Sequence, residues 1–179
     1  MSGTLLCNSE RRNFCLIKCS IALSLSLFAL SSLAQQDKES TKLALSISAD
    51  ANVNPDSAQH AAPIKVRIYE LKDSTTFANT DYFTLDNNDK VTLASDLLAN
   101  DEYILRPSEV QKIERKSNPQ TTAIGILAGY RDLPNSIWRV VYKLPPAPEV
   151  TWLRFAIPAN KTTLRIQLQA QGIAIIEDK

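Results

Sequence analysis

The sequence predicts a mainly β protein: two antiparallel sheets packed face to face as a sandwich, with one short helical insertion. Three observations predict it. Apolar and polar residues alternate in twos through several stretches, Pro- and Asn-rich turns separate those stretches, and one region between Asp73 and Asn100 abandons the alternation. Period-two alternation rich in β-branched residues puts one face of a strand in a core and the other in water. Seven or eight short strands of this kind suit a two-sheet sandwich.

The chain opens on a segment unlike the rest. Arg11, Arg12 and Lys18 form a basic leader, Cys19–Ala34 carries no charge, and Ser32-Leu33-Ala34 places small residues where a signal peptidase reads. Residues 1–34 are therefore expected to be a signal peptide cleaved after Ala34. The apolar run is short of the ~20 residues that span a bilayer comfortably, and an uncleaved anchor is the competing reading. Three of the 20 basic and one of the 19 acidic residues lie in this leader, so the remainder is close to neutral and its charge singles out no nucleic acid. Cys7, Cys15 and Cys19 also fall there, which leaves no thiol for a disulfide, a nucleophile or a metal site beyond it. Cys19 precedes the apolar run and follows Lys18, so no lipidation site is visible. Residues 35–41 read as a linker and 42–179 as one domain, large enough to bury a core without staples.

The strands follow in order. Leu43, Leu45 and Ile47 alternate with Ala44, Ser46 and Ser48; Ile64, Val66 and Ile68 alternate with Lys65, Arg67 and Tyr69. Near the end of the chain, Leu164, Ile166 and Leu168 alternate with Arg165, Gln167 and Gln169. Weaker candidates are Tyr103–Arg106, Ala123–Tyr130, Trp138–Tyr142, Thr151–Ile157 and Ile173–Ile176. In the insertion, Asp73, Ser74 and Thr75 are residues that cap a helix start, and Val91–Leu98 has apolar spacing for two helical turns. Two loops stand out. Asn52–Pro63 joins the two best strands and carries the turn signal Asn54-Pro55-Asp56, while Leu144–Glu149 holds three prolines in six residues and reads as a stiff extended connection.

Residue chemistry argues against catalysis. His60 is the one histidine and sits in a polar loop, where a positioned general base is not expected. One histidine without cysteine does not make a zinc site. Asp86 and Asp89 in the DNNDK stretch lack the Gly and distal Glu of a calcium loop and read as a polar turn at a helix edge. Glu109 and Glu114 read as solvated charges, and Trp138 and Trp152 as core aromatics, with a carbohydrate platform as the alternative. Gly125 and Gly129 lie in an apolar strand with no Lys-Ser/Thr after them, so no phosphate loop is present. No cofactor is expected.

The order of several short motifs carries more information than any one of them. A strand ending in Ser-Ala-Asp leads to Val53-Asn54-Pro55-Asp56, then to Arg67-Ile-Tyr-Glu-Leu-Lys72, Tyr82-Phe83, Leu93–Leu98 and Pro107-Ser108-Glu109. Ile124–Asp132, ending Ala-Gly-Tyr-Arg-Asp, precedes Trp138-Arg139. This succession resembles the TssJ family (also SciN or VasD), the lipoprotein of type VI secretion systems. The resemblance implies a transthyretin-like sandwich with added helices at the inner face of the outer membrane. It implies binding to the periplasmic C-terminal region of a TssM-like inner-membrane protein and, through it, a link to a TssL-like protein. The family's partner-binding loop maps onto Asn54, Pro55, Asp56, Ser57, Ala58, Gln59, His60, Ala61 and Ala62. Of these, Asn54, Pro55 and Asp56 match the family's turn, whereas Ser57 to Ala62 depart from its usual glycine-bearing stretch. Ser108 likewise stands where the family generally has Gly. The missing lipobox is a further departure. The competing function class is a periplasmic sandwich that binds carbohydrate or a pilus subunit by strand addition.

Overall fold

The computed structural model describes residues 40–146 and 160–178. The leader, the 35–41 linker up to residue 39, the Thr151–Ile157 strand candidate and Trp152 lie outside them. Among the described residues eight strands form two four-stranded sheets. They are β1 (Lys42–Ala49), β2 (Ile64–Leu71), β3 (Leu97–Leu105), β4 (Val110–Lys116), β5 (Ala123–Ala128), β6 (Arg139–Lys143), β7 (Lys161–Leu168) and β8 (Ile173–Asp178). The first sheet runs β4-β1-β7-β8 and the second β3-β2-β5-β6. Among the described strands all pairings are antiparallel except one: β1 lies parallel to β7, from Lys42 beside Lys161 to Ala49 beside Leu168. Residues 37–179 cluster as one compact unit.

The alternation read from the sequence is what builds the core between the sheets. Leu43, Leu45 and Ile47 of β1 and Leu164, Ile166 and Leu168 of β7 face Ile64, Val66 and Ile68 of β2 and Ile124 and Ile126 of β5. All eleven are nearly or wholly excluded from solvent, each contributing roughly 1.5–3 kcal/mol of transfer free energy. Strand β5 is buried at all six positions, because a second core covers its other face. There Tyr69, Leu71, Ala123 and Leu127 of the second sheet pack against Phe77, Leu85 and Leu93 of the insertion.

The insertion is two helices, α1 (Thr75–Asn79) and α2 (Tyr82–Leu93), followed by a 3-10 turn at Ala94–Asp96. Sequence reading placed Leu97 and Leu98 in a helix; they instead begin β3, which starts immediately after that turn. Asp73 Oδ1 accepts from the Thr75 amide (2.7 Å) at the start of α1. Asp81 Oδ1 accepts from the Thr84 amide (3.0 Å) and caps α2, satisfying a donor the helix leaves free. The carbonyls at the end of α1 are taken by Arg139, whose guanidinium donates to Phe77 (2.9 Å) and Thr80 and lies 4.6 Å from the Trp138 ring centroid. Trp138 meets Tyr82 edge-on, so the Trp-Arg pair ties β6 to both helices.

Asp86 and Asp89 are not a turn, as sequence reading had them. Both lie within α2, where Lys65 and Arg67 pair with Asp86, and Tyr69 Oη donates to Asp89 (3.2 Å). Arg67 also binds Glu102 and donates to the Asp86 carbonyl (2.8 Å). Burial pulls its pKa down, but the bonds to Glu102 and Tyr69 outweigh that and raise it. Gly125 lies under α1: a Cβ there would come within 2.9 Å of Phe77 Cε1.

Candidate functional site

Strand direction gathers three connections at one end of the sandwich: the loop from β1 to β2, the segment after β5, and the β7–β8 turn. Between them lies an open groove of about 520 Å³, walled by Asn54–Ser57 and Gln59 on one side, Tyr130–Asp132 and Ser136 on another, and Ala170–Gln171 on the third. Its floor is Tyr130, only 4% exposed, whose ring belongs to the main core. Burial pushes the Tyr130 hydroxyl's pKa up, and among the described residues it has no hydrogen-bond partner.

The β1–β2 loop is built around two side chains. Asn54 has φ 48°, a left-handed conformation asparagine tolerates. Its amide donates to the Pro63 carbonyl (3.1 Å), and its Oδ1 accepts from the Arg131 amide (2.8 Å). Being 4% exposed, Asn54 holds the loop onto the neighbouring segment and offers little surface to a partner. Asp56 organises the tip: Oδ1 accepts from the amides of Ala58 (2.9 Å) and His60 (2.8 Å), and its own amide donates to the His60 carbonyl (2.9 Å). These bonds, the His60 amide first, hold the Asp56 carboxyl below its ordinary pKa. The His60 ring Nδ1 sits 3.4 Å from Asp56 Oδ2.

The nine loop positions thus divide. Ser57, Ala58, Gln59 and His60 are exposed, Pro55, Asp56 and Ala61 are half-buried, and Asn54 and Ala62 are buried. Val53 is fully buried in the core. Sequence reading missed the opposite walls. Arg131 and Asp132 were in view in the Tyr-Arg-Asp motif, and following strand direction would have brought them and Gln171 to the same end as the loop. Among the described residues no three His, Cys, Asp or Glu converge as metal ligands.

The fold and the order of its motifs have relatives. TssJ1, a type VI secretion lipoprotein from Pseudomonas aeruginosa, is 38% identical with a TM-score of 0.68, over 78% of this chain and 98% of that one. Serratia marcescens Lip, a membrane-bound component of the type VI secretion system, is 27% identical with a TM-score of 0.67, over 78% and 99%. A chain in a structure described as the T6SS protein TssM C-terminal domain from EAEC shares the fold at 24% identity and TM-score 0.59, over 75% and 99%. No curated protein sequence matches. The family model T6SS-SciN, described as type VI secretion lipoprotein (VasD, EvfM, TssJ, VC_A0113), matches residues 41–171. With nearly the whole sandwich inside that match, the chain belongs to the SciN/TssJ family of type VI secretion lipoproteins.

Proposed function

We propose that this protein is a non-enzymatic adaptor of the type VI membrane complex. In this reading it is exported by a leader cleaved after Ala34 and held at the inner face of the outer membrane. Its β1–β2 loop docks the periplasmic C-terminal region of a TssM-like inner-membrane protein, and through that partner it joins a TssL-like protein. The observation that carries this is the groove: a preformed hollow beside an exposed tip, Ser57–His60, on a loop pinned by Asn54 and Asp56. A tip held rigid before binding loses little entropy on docking, and contacts concentrate on loops that a scaffold positions.

Replacing residues 55–61 by a tight turn tests the reading. The melt should shift little, since loop length changes closure entropy by only about 0.6 kcal/mol per doubling. Affinity for the partner's periplasmic region should fall at least ~tenfold, or ~1.4 kcal/mol. A folded variant that binds at parental affinity would place the docking surface elsewhere, with the α1–α2 insertion next.

A further inference from the structure

Among the described residues no helix covers the outer face of the first sheet, and one end of it carries an unusual row. Lys116 of β4 lies directly opposite Lys42 of β1, and Lys42 lies beside Lys161 of β7. Residues paired in this way share a face, so three lysines stand side by side across three strands. All three are exposed, and like charges placed opposite one another weaken a sheet. The neighbouring row supplies Glu114 and Asp178, but Asp178 is already bound to Arg165 (2.6 Å). A shallow hollow of about 280 Å³ opens beside the row, lined by Lys42, Ala44, Glu114, Lys116 and Lys161 among others. The β2 and β6 strands end at the same pole, where Lys72 and Lys143 are also exposed. Among the described residues none of these five lysines has an ion-pair partner.

The position of the row says what it faces. It stands where the chain enters the domain at Lys42, at the pole opposite the β1–β2 loop, and the family is one of lipoproteins. No lipidation site is visible ahead of Lys42, so a cationic pole at this end would supply the membrane attachment that a lipid gives the family. We infer that the Lys42–Lys116–Lys161 row is a docking surface for anionic phospholipid headgroups, which orients the sandwich with its loop groove away from the bilayer. Phosphate oxygens between the lysines would relieve the repulsion within the row, and small Ala44 behind it leaves room for a headgroup. The inference does not depend on the groove binding any partner.

The test uses the unit 37–179, which contains both cores, so that the apolar leader does not drive binding. Its partition onto vesicles of phosphatidylethanolamine with phosphatidylglycerol is compared with that onto phosphatidylcholine vesicles. Binding should be selective for the anionic vesicles at low ionic strength and should vanish near 1 M salt, where screening lengths shrink to about 3 Å. The variant K42Q/K116Q/K161Q should lose roughly fivefold per lysine, about a hundredfold in all, from the worth of a lysine at an anionic surface. The matched variant K90Q/R106Q/R131Q, which removes equal charge elsewhere, should lose far less. The lysine-row variant should also melt no lower than the parent, because it removes like-charge neighbours, and this keeps a loss of binding distinct from a loss of fold. Equal partition onto both vesicle types, or equal losses in the two variants, would overturn the inference.

Discussion

Ser108 has φ 66° in the turn Arg106-Pro107-Ser108-Glu109, which carries the chain from β3 in one sheet to β4 in the other. The Glu109 amide donates to the Arg106 carbonyl (3.0 Å), and Pro second with a positive φ third is the pattern of a type II turn, where glycine is preferred. Among the described residues the Ser108 hydroxyl makes no hydrogen bond, so Ser108→Gly should relieve strain at no cost in contacts. It should stabilise by about 0.5–1 kcal/mol and raise Tm by a few degrees; an unchanged or lower Tm would refute the strain. Asp56 gives a pH test. A carboxyl with a lowered folded pKa contributes stability above its ordinary value and loses it as pH falls through the folded one. The tip bonds should therefore be intact at neutral pH and fail only as pH drops below the unshifted value of 3.8. Amide resonances of Ala58 and His60 should titrate with a midpoint under 3.8, and Asp56→Asn should abolish that titration; a midpoint at or above it refutes the loop geometry. At this scale the sequence located the loop but not the division of labour within it. Asn54 and Asp56 are ordinary turn formers on paper; only the fold brings residue 131 within reach of Asn54.

At the scale of elements, legibility followed burial geometry. Strands β1, β2 and β7 have one wet face and one dry face, so their alternation is plain. Strand β4, Val110–Lys116, escaped notice because it is an edge strand with one buried residue, Ile113, among charges. Strand β5 reads as a continuous apolar run because helices cover its second face. Helix α2 hid its boundaries: its apolar residues serve two directions, Leu85 and Leu93 inward while Phe83 and Val91 stand exposed, and a break in helical geometry falls at Asn88. What fastens this helix is polar. Arg67, with its side chain 15% exposed, faces Asp86, Asp89 and Glu102 at once. Arg67→Met keeps the aliphatic stem but leaves three carboxylates without that cation. It should destabilise by about 1.5–3 kcal/mol, with amide exchange in Leu85–Leu93 accelerating more than in β1. Equal acceleration in both would show that the helix opens only with the whole domain.

Across the whole molecule, the two sheets are joined by more than apolar contact. Glu70 of β2 is 2% exposed, and its Oε1 lies 2.8 Å from Arg115 Nε on β4 of the other sheet. Its Oε2 accepts from the Asn118 amide and the Thr121 hydroxyl, both at 2.9 Å, and Arg115 reaches Asp101 of β3 as well. Arg115→Met would strand that carboxylate inside the sandwich and should cost about 3–5 kcal/mol. The double variant with Glu70→Gln should recover part of the loss; if it recovers none, the pair is not what couples the sheets. The parallel contact between β1 and β7 has a different kind of consequence. Their paired residues Lys42 and Lys161 are 119 positions apart in the chain, and the strands between them fill both sheets. As the chain emerges N-terminus first from a ribosome or a membrane channel, β1 waits with one bare edge until almost the last strands arrive. High contact order of this sort slows folding, and a bare edge invites mispairing with other chains. The same delay keeps the polypeptide loose enough to be threaded, so the native sandwich closes only once β7 and β8 have cleared the exit.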